Sequence, residues 1–113
     1  MREQKLSPRI GAMRHRVTIE EPVRVGDEGG GAVIAWQPIA TVWAEIQPKA
    51  GREVFESDQQ GGRVTHDVRM RYRHGVTAKM RIANGGRLFD IRHVANPGER
   101  GEWMICTCEE TTP

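Results

Sequence analysis

The chain has 113 residues, which is enough for one hydrophobic core and too few for two. Only 5% of residues are aromatic and 13 are glycine, so a solitary globule of this composition is thinly cored and part of its stability is expected from assembly. The formal net charge of +2 hides a segregation along the chain: residues 1–16 carry five basic and one acidic side chain, 17–62 three and eight, 63–94 eight and two, and 95–113 one and four. A nucleic-acid binder calls for a larger basic excess with interleaved aromatics, whereas like subunits packed side by side can set an acidic flank against a basic one. No run approaches the roughly 18 to 20 apolar residues of a membrane span, and Met1 to Arg16 lacks the apolar middle of a signal peptide. The expectation is a soluble protein of the cytoplasm with no membrane partner.

Residues 1–12 are basic and aperiodic, with Pro8 and Gly11 as breakers, and read as a flexible arm ahead of a single domain over 13–110 and a short tail at 111–113. Arg14 to Glu20 alternates as a first strand, with His15, Val17 and Ile19 on one face, and Pro22 is expected to end it. Residues 22–32 hold Gly26, Asp27, Gly29, Gly30 and Gly31 and predict a mobile hairpin loop. A phosphate cradle is excluded there, because the stretch lacks a Gly-Lys-Ser/Thr ending and no helix follows the glycines. Val33 to Gln47 is a second strand that must bulge or lie at an edge at Pro38, since proline cannot donate to a ladder. Ala40, Val42, Ala44 and Ile46 share one face of it. Trp36 and Trp43 are expected as core or interface anchors.

Residues 48–62 form a second long loop with room for one helical turn. Its Arg52, Glu53, Val54, Phe55 and Glu56 set a small apolar knob between charges, expected to dock on a partner or to fold back over the barrel mouth. Val64 to Arg73 is the most sharply patterned stretch: Val64, His66, Val68, Met70 and Tyr72 fall on one face and Thr65, Asp67, Arg69, Arg71 and Arg73 on the other. A slip of one residue would put three arginines into the core, so the register is firmly specified. Arg69, Arg71 and Arg73, with Trp36 and Trp43, are the candidate subunit interface. Lys79 to Ala83 and Arg87 to Val94 flank Asn84-Gly85-Gly86, a strong hairpin signal, and should set Met80 and Ile82 against Phe89 and Ile91. Asn96-Pro97-Gly98 is a turn, and Glu102 to Glu109 a last strand. About six strands without a convincing long helix predict an all-β domain, a small antiparallel barrel or sandwich.

Chemistry is sparse. His15, His66, His74 and His93 lie at no metal-ligand spacing, although His66 and His93 are candidates to meet across the sheet. Cys106 and Cys108, two apart on a strand, suit free buried thiols better than a disulfide. Ser7 and Ser57 are the only serines, and neither sits in a nucleophile turn. The reading is a protein that is no enzyme and has no catalytic residue, metal or cofactor.

The ordered set R-H-R-V-T-I-E, a glycine-rich loop, W-Q-P-I-A-T-V-W-A-E-I-Q-P, G-R-E-V-F-E, V-T-H-D-V-R-M-R-Y-R, G-V-T-A-K-M-R-I, G-R-L-F-D-I and a closing C-E-E resembles the head-tail joining, or head closure, proteins of tailed phages, the stopper and adaptor group. The resemblance covers Met13 to Glu110 and rests on collinearity. The basic arm and Trp103-Met104 depart from the pattern. The resemblance implies a small β-barrel with long loops, assembled into a homo-oligomeric ring of six- or twelve-fold symmetry. Such a ring lies between the portal or adaptor on the head side and the tail proteins on the other; it continues or closes the DNA channel, through which DNA passes without sequence-specific binding. It also implies assembly in the bacterial cytoplasm into a phage, prophage-derived or gene transfer agent particle, with the loop at 48–62 toward the channel or the neighbouring ring. Two other readings stand beside it: a nucleic-acid-binding small barrel of the oligonucleotide-binding kind using Arg69, Arg71, Arg73 and Arg81, and a minor tail or accessory protein.

Overall fold

The structure is a computed structural model that describes residues 13–49 and 64–111. Six strands follow in chain order: β1 (His15–Gly26), β2 (Ala32–Pro48), β3 (His66–Arg71), β4 (Arg81–Asn84), β5 (Arg87–Ala95) and β6 (Trp103–Glu110). Every neighbour is antiparallel, in the order β1-β2-β3-β6-β5-β4, and β4 returns to β1, so the sheet closes on itself into an irregular barrel. The expected all-β architecture is therefore present in its barrel form.

Alternation drives the closure. Val17 and Ile19 of β1, Ala44 of β2, Val68 and Met70 of β3, Ile82 of β4, Phe89 and Ile91 of β5, and Met104, Cys106 and Cys108 of β6 meet in one core. On the strands that contribute more than one, these residues are spaced by two, as a pleated strand with one dry face requires. Met80, Val42 and Ile46 pack against this core from its margin. Both cysteines are free and buried, and loss of hydration pushes the Cys106 thiol up to about 12 and Cys108 further in the same direction. They behave as small core side chains.

The seam between β1 and β4 is short, with Thr18, Ile19 and Glu20 paired to Ala83, Ile82 and Arg81. Side chains reinforce it. Arg81 Nε donates to Glu20 Oε1 at 2.6 Å, and its guanidinium lies 4.2 Å from the centre of the Trp36 ring. Asn84 Nδ2 donates to the Arg16 carbonyl at 3.1 Å. The Asn-Gly-Gly signal thus resolves into a two-residue turn at Gly85 and Gly86, with φ of +62° at Gly85, while Asn84 remains in the strand and fastens it to β1.

Three details depart from expectation. Pro22 does not end β1; it pairs with Trp36, and the strand runs on to Gly26. Beyond Glu20, β1 has no second partner among the described strands, so a residue without an N–H loses no ladder bond at that edge. Residues 21–26 and 32–37 therefore form a two-stranded ribbon projecting past the barrel wall, and Ile39 is the extra residue of a bulge between the Ile19–Ala40 and Glu20–Pro38 pairs, where Pro38 is accommodated. The glycine stretch is held at its tip: Asp27 Oδ1 accepts from the N–H groups of Gly29 and Gly31, both at 2.9 Å, and Asp27 N–H donates to the Gly31 carbonyl. Finally, Tyr72 does not join the core face of β3. The strand ends at Arg71, Tyr72 N–H donates to the Glu102 carbonyl, and the residue is 37% exposed.

Candidate assembly surface

The outer face of the barrel carries an ordered row of cations and aromatics. Register sets Arg16 of β1 opposite Trp43 of β2, and Arg71 of β3 opposite Trp103 of β6, while the Ala44–Met70 pair places Trp43 and Arg71 side by side. The row reads Arg16, Trp43, Arg71, Trp103 across four strands. The Arg16 guanidinium lies 5.0 Å from the Trp43 ring centre, and Arg71 lies 5.0 Å from that of Trp103. Such stacking leaves the guanidinium N–H groups available at the plane's edge. Trp43 is 51% exposed. Around it opens a groove of about 490 Å³ lined by Met13, Val42, Trp43, Arg71, Tyr72 and Arg73.

The candidate residues read from sequence divide in space. Trp43, Arg71 and Arg73 come together at this groove. Trp36 is half-buried on the ribbon, stacked against Arg81. Arg69 lies one pleat along from Arg71 and is engaged by its own sheet: it bonds Gln47 Oε1 and approaches Glu45 at 3.9 Å and Asp67 at 3.8 Å. Arg52, Glu53, Val54, Phe55 and Glu56 lie outside the described residues. Sequence reasoning missed Arg16, Tyr72 and Trp103 as members of the patch. The arginines over Trp36 and Trp43 come from other strands, and no local sequence pattern reports that pairing.

A second apolar surface is the projecting ribbon. Val25, Val33 and Ile34 at its tip are 45%, 56% and 54% exposed. Val25 pairs with Val33 and Val23 with Ala35 on one face, while Ile34 and Trp36 share the other. An isolated two-stranded ribbon is marginal in water, and one apolar on both faces calls for cover.

The titratable groups form structural contacts. Arg87 clasps Glu110 through Nε–Oε2 at 2.8 Å and Nη2–Oε1 at 3.1 Å, and Arg87 Nη2 also lies 3.3 Å from His66 Nε2. His66 Nδ1 is 2.8 Å from Thr65 Oγ1, and its ring meets Phe89 edge-on at 5.1 Å. Burial lowers the His66 pKa below 6.5, helped by the Arg87 charge and opposed by Glu110. His93 is exposed on β5 in register with Thr107, whereas His66 is in register with the buried Cys108, so the two histidines lie on opposite faces of the sheet. Among the described residues no three His, Cys, Asp or Glu side chains are placed to hold a metal ion, and no helix is long and apolar enough to cross a membrane.

The fold is similar to two solved structures. Protein SF1141 from Shigella flexneri 2a, solved in solution, superposes with a TM-score of 0.71 at 25% identity, over 89% of this chain and 95% of that one. A chain from the virion of a native gene transfer agent particle superposes with a TM-score of 0.57 at 24% identity, over 88% and 96%. No curated protein sequence matches. The family model of the phage head completion protein matches residues 8–111, and so takes in both the barrel and the projecting ribbon. The chain belongs to the phage head completion protein family.

Proposed function

We propose that this protein is a structural component of the head-tail junction in a tailed phage or phage-like particle. In this reading copies form a ring that joins the portal or adaptor to the tail and continues the DNA channel. The observation that carries the reading is the family match over nearly the whole chain. The geometry agrees with it: a closed barrel stapled at its seam supplies a rigid wedge, and its exposed apolar and cationic features are suited to contact with other chains. Affinity in such a ring would come from apolar anchors such as Trp43, since an exposed ion pair contributes only about 0 to 1 kcal/mol.

The test is the size of the purified chain, measured by light scattering and electron microscopy, alone and with its portal-side and tail-side neighbours. Ring-shaped assemblies are expected. A species that stays monomeric in every mixture overturns the reading. The row Arg16–Trp43–Arg71–Trp103 favours one other reading, a surface for single-stranded nucleic acid, because it alternates cations with aromatics. Salt-dependent binding of a short oligonucleotide, lost on Trp43→Thr, is its signature.

A further inference from the structure

We infer that the tip of the β1–β2 ribbon of one copy docks into the Trp43 groove of the next. This inference rests on the reading above and names the contact by which copies join. The tip offers aliphatic side chains, Val25, Val33 and Ile34, together with Asp27 and Glu28 against the single cation Arg24. The groove offers the complement: the faces of Trp43 and Tyr72 and the aliphatic Met13 and Val42, rimmed by Arg71 and Arg73 and adjoined by Arg16. Branched aliphatics against aromatic faces, with carboxylates meeting guanidinium groups at the rim, is the pairing expected of an interface core and its border.

Geometry makes the occupant a second copy. Val33 and Trp43 lie on the same strand ten residues apart, about 33 Å at roughly 3.3 Å per residue. A chain's own tip is thus carried away from its own groove by the rigid strand that joins them. Tip and groove are also different surfaces, so the contact is head-to-tail, and each copy that receives a tip still presents one. Contacts of this kind propagate and close into a ring when the rotation between copies permits. Such closure covers the ribbon's apolar tip and fills the groove in every subunit at once.

The experiment uses two variants of the full chain. Val33→Thr combined with Ile34→Thr removes the aliphatic tip while keeping β-branched residues in the strand, and Trp43→Thr removes the floor of the groove. Glu28→Lys and Arg73→Glu, both at exposed positions, provide a second pair should either of the first fail to fold by circular dichroism. Self-association is measured by analytical ultracentrifugation. Each variant alone is expected to associate at least thirtyfold more weakly than the unaltered chain, the size expected for truncating an aromatic anchor. Mixed in equal amounts, the tip variant and the groove variant should form a one-to-one pair and nothing larger, because only one intact tip and one intact groove remain to meet.

Variants that assemble like the unaltered chain, or a mixture that gives no pair while the unaltered chain forms rings, overturn this contact and leave the ring reading standing. An unaltered chain that stays monomeric with its neighbours overturns both. If Trp43→Thr abolishes binding of a short oligonucleotide and leaves assembly intact, the groove serves nucleic acid and the inference fails.

Discussion

Replacing Arg81 by Ala tests what closes the barrel. The β1–β4 seam has three paired positions, and Arg81 serves it twice, through the 2.6 Å bond to Glu20 and the 4.2 Å stack on Trp36. The Arg81 and Glu20 side chains are 21% and 18% exposed, so solvent screens the pair only in part. A charge-assisted bond in such a setting contributes about 1.5 to 3 kcal/mol, and the stack about 0.5 to 1 kcal/mol. The two share one side chain and do not simply add, so Arg81→Ala should cost about 2 to 3 kcal/mol. Urea unfolding followed by tryptophan fluorescence measures this, with linear extrapolation giving the free energy. Arg81→Lys keeps the charge but not the planar stack and should recover part of the loss. Amide exchange adds a local readout: Ile82 and Ala83 should lose protection ahead of β5 and β6. A cost below about 0.5 kcal/mol, the range of an unremarkable surface change, would refute the role given to Arg81 in closing the sheet.

Further outcomes follow from the core and its polar margin. Phe89, with no exposed surface, should cost about 3 to 5 kcal/mol on replacement by Ala, measured by the same denaturation. His66 is held neutral by burial, with its folded pKa below the unfolded value of 6.5, so the unfolded chain takes up the proton first as pH falls. Stability should therefore be complete above about pH 6.5 and decline below it, and His66→Gln should flatten that part of the profile in chemical denaturation at a series of pH values. Cys106 and Cys108 should resist alkylation in the folded protein and react together on unfolding, as mass spectrometry would show, since Cys106 titrates at about 12 and Cys108 higher. Asp27→Ala removes the acceptor of two backbone bonds at the ribbon turn and should cost about 1 kcal/mol, with faster amide exchange at Gly29 and Gly31.

The core was legible from sequence wherever a period of two met an unambiguous side chain. Val68, Met70, Ile82, Phe89 and Ile91 are all buried on the face that alternation assigned to them. Tyr72 followed the same parity and still left the core, because pattern gives a face only while the strand lasts. Pro22 misled for a related reason: a missing N–H ends a strand inside a sheet but is tolerated at an unpaired edge, and sequence does not say where the edge lies. The ribbon's length was hidden by that proline. The cations lying on Trp36 and Trp43 were not legible. Arg16 and Trp43 are 27 positions apart, and Arg81 and Trp36 are 45 apart, so only the register of strands brings them together. Arg69 shows the converse, since its parity matches that of Arg71 but its charge is met by Glu45 and Asp67 of its own sheet.

In the proposed function, the chain works by taking a fixed place in an assembled particle. Electron microscopy of purified particles labelled with an antibody to this chain tests it most directly. Label is expected at the junction of head and tail, on intact particles and on heads that have shed their tails. Particles free of label, with the chain recovered only in the soluble fraction of the lysate, would contradict it.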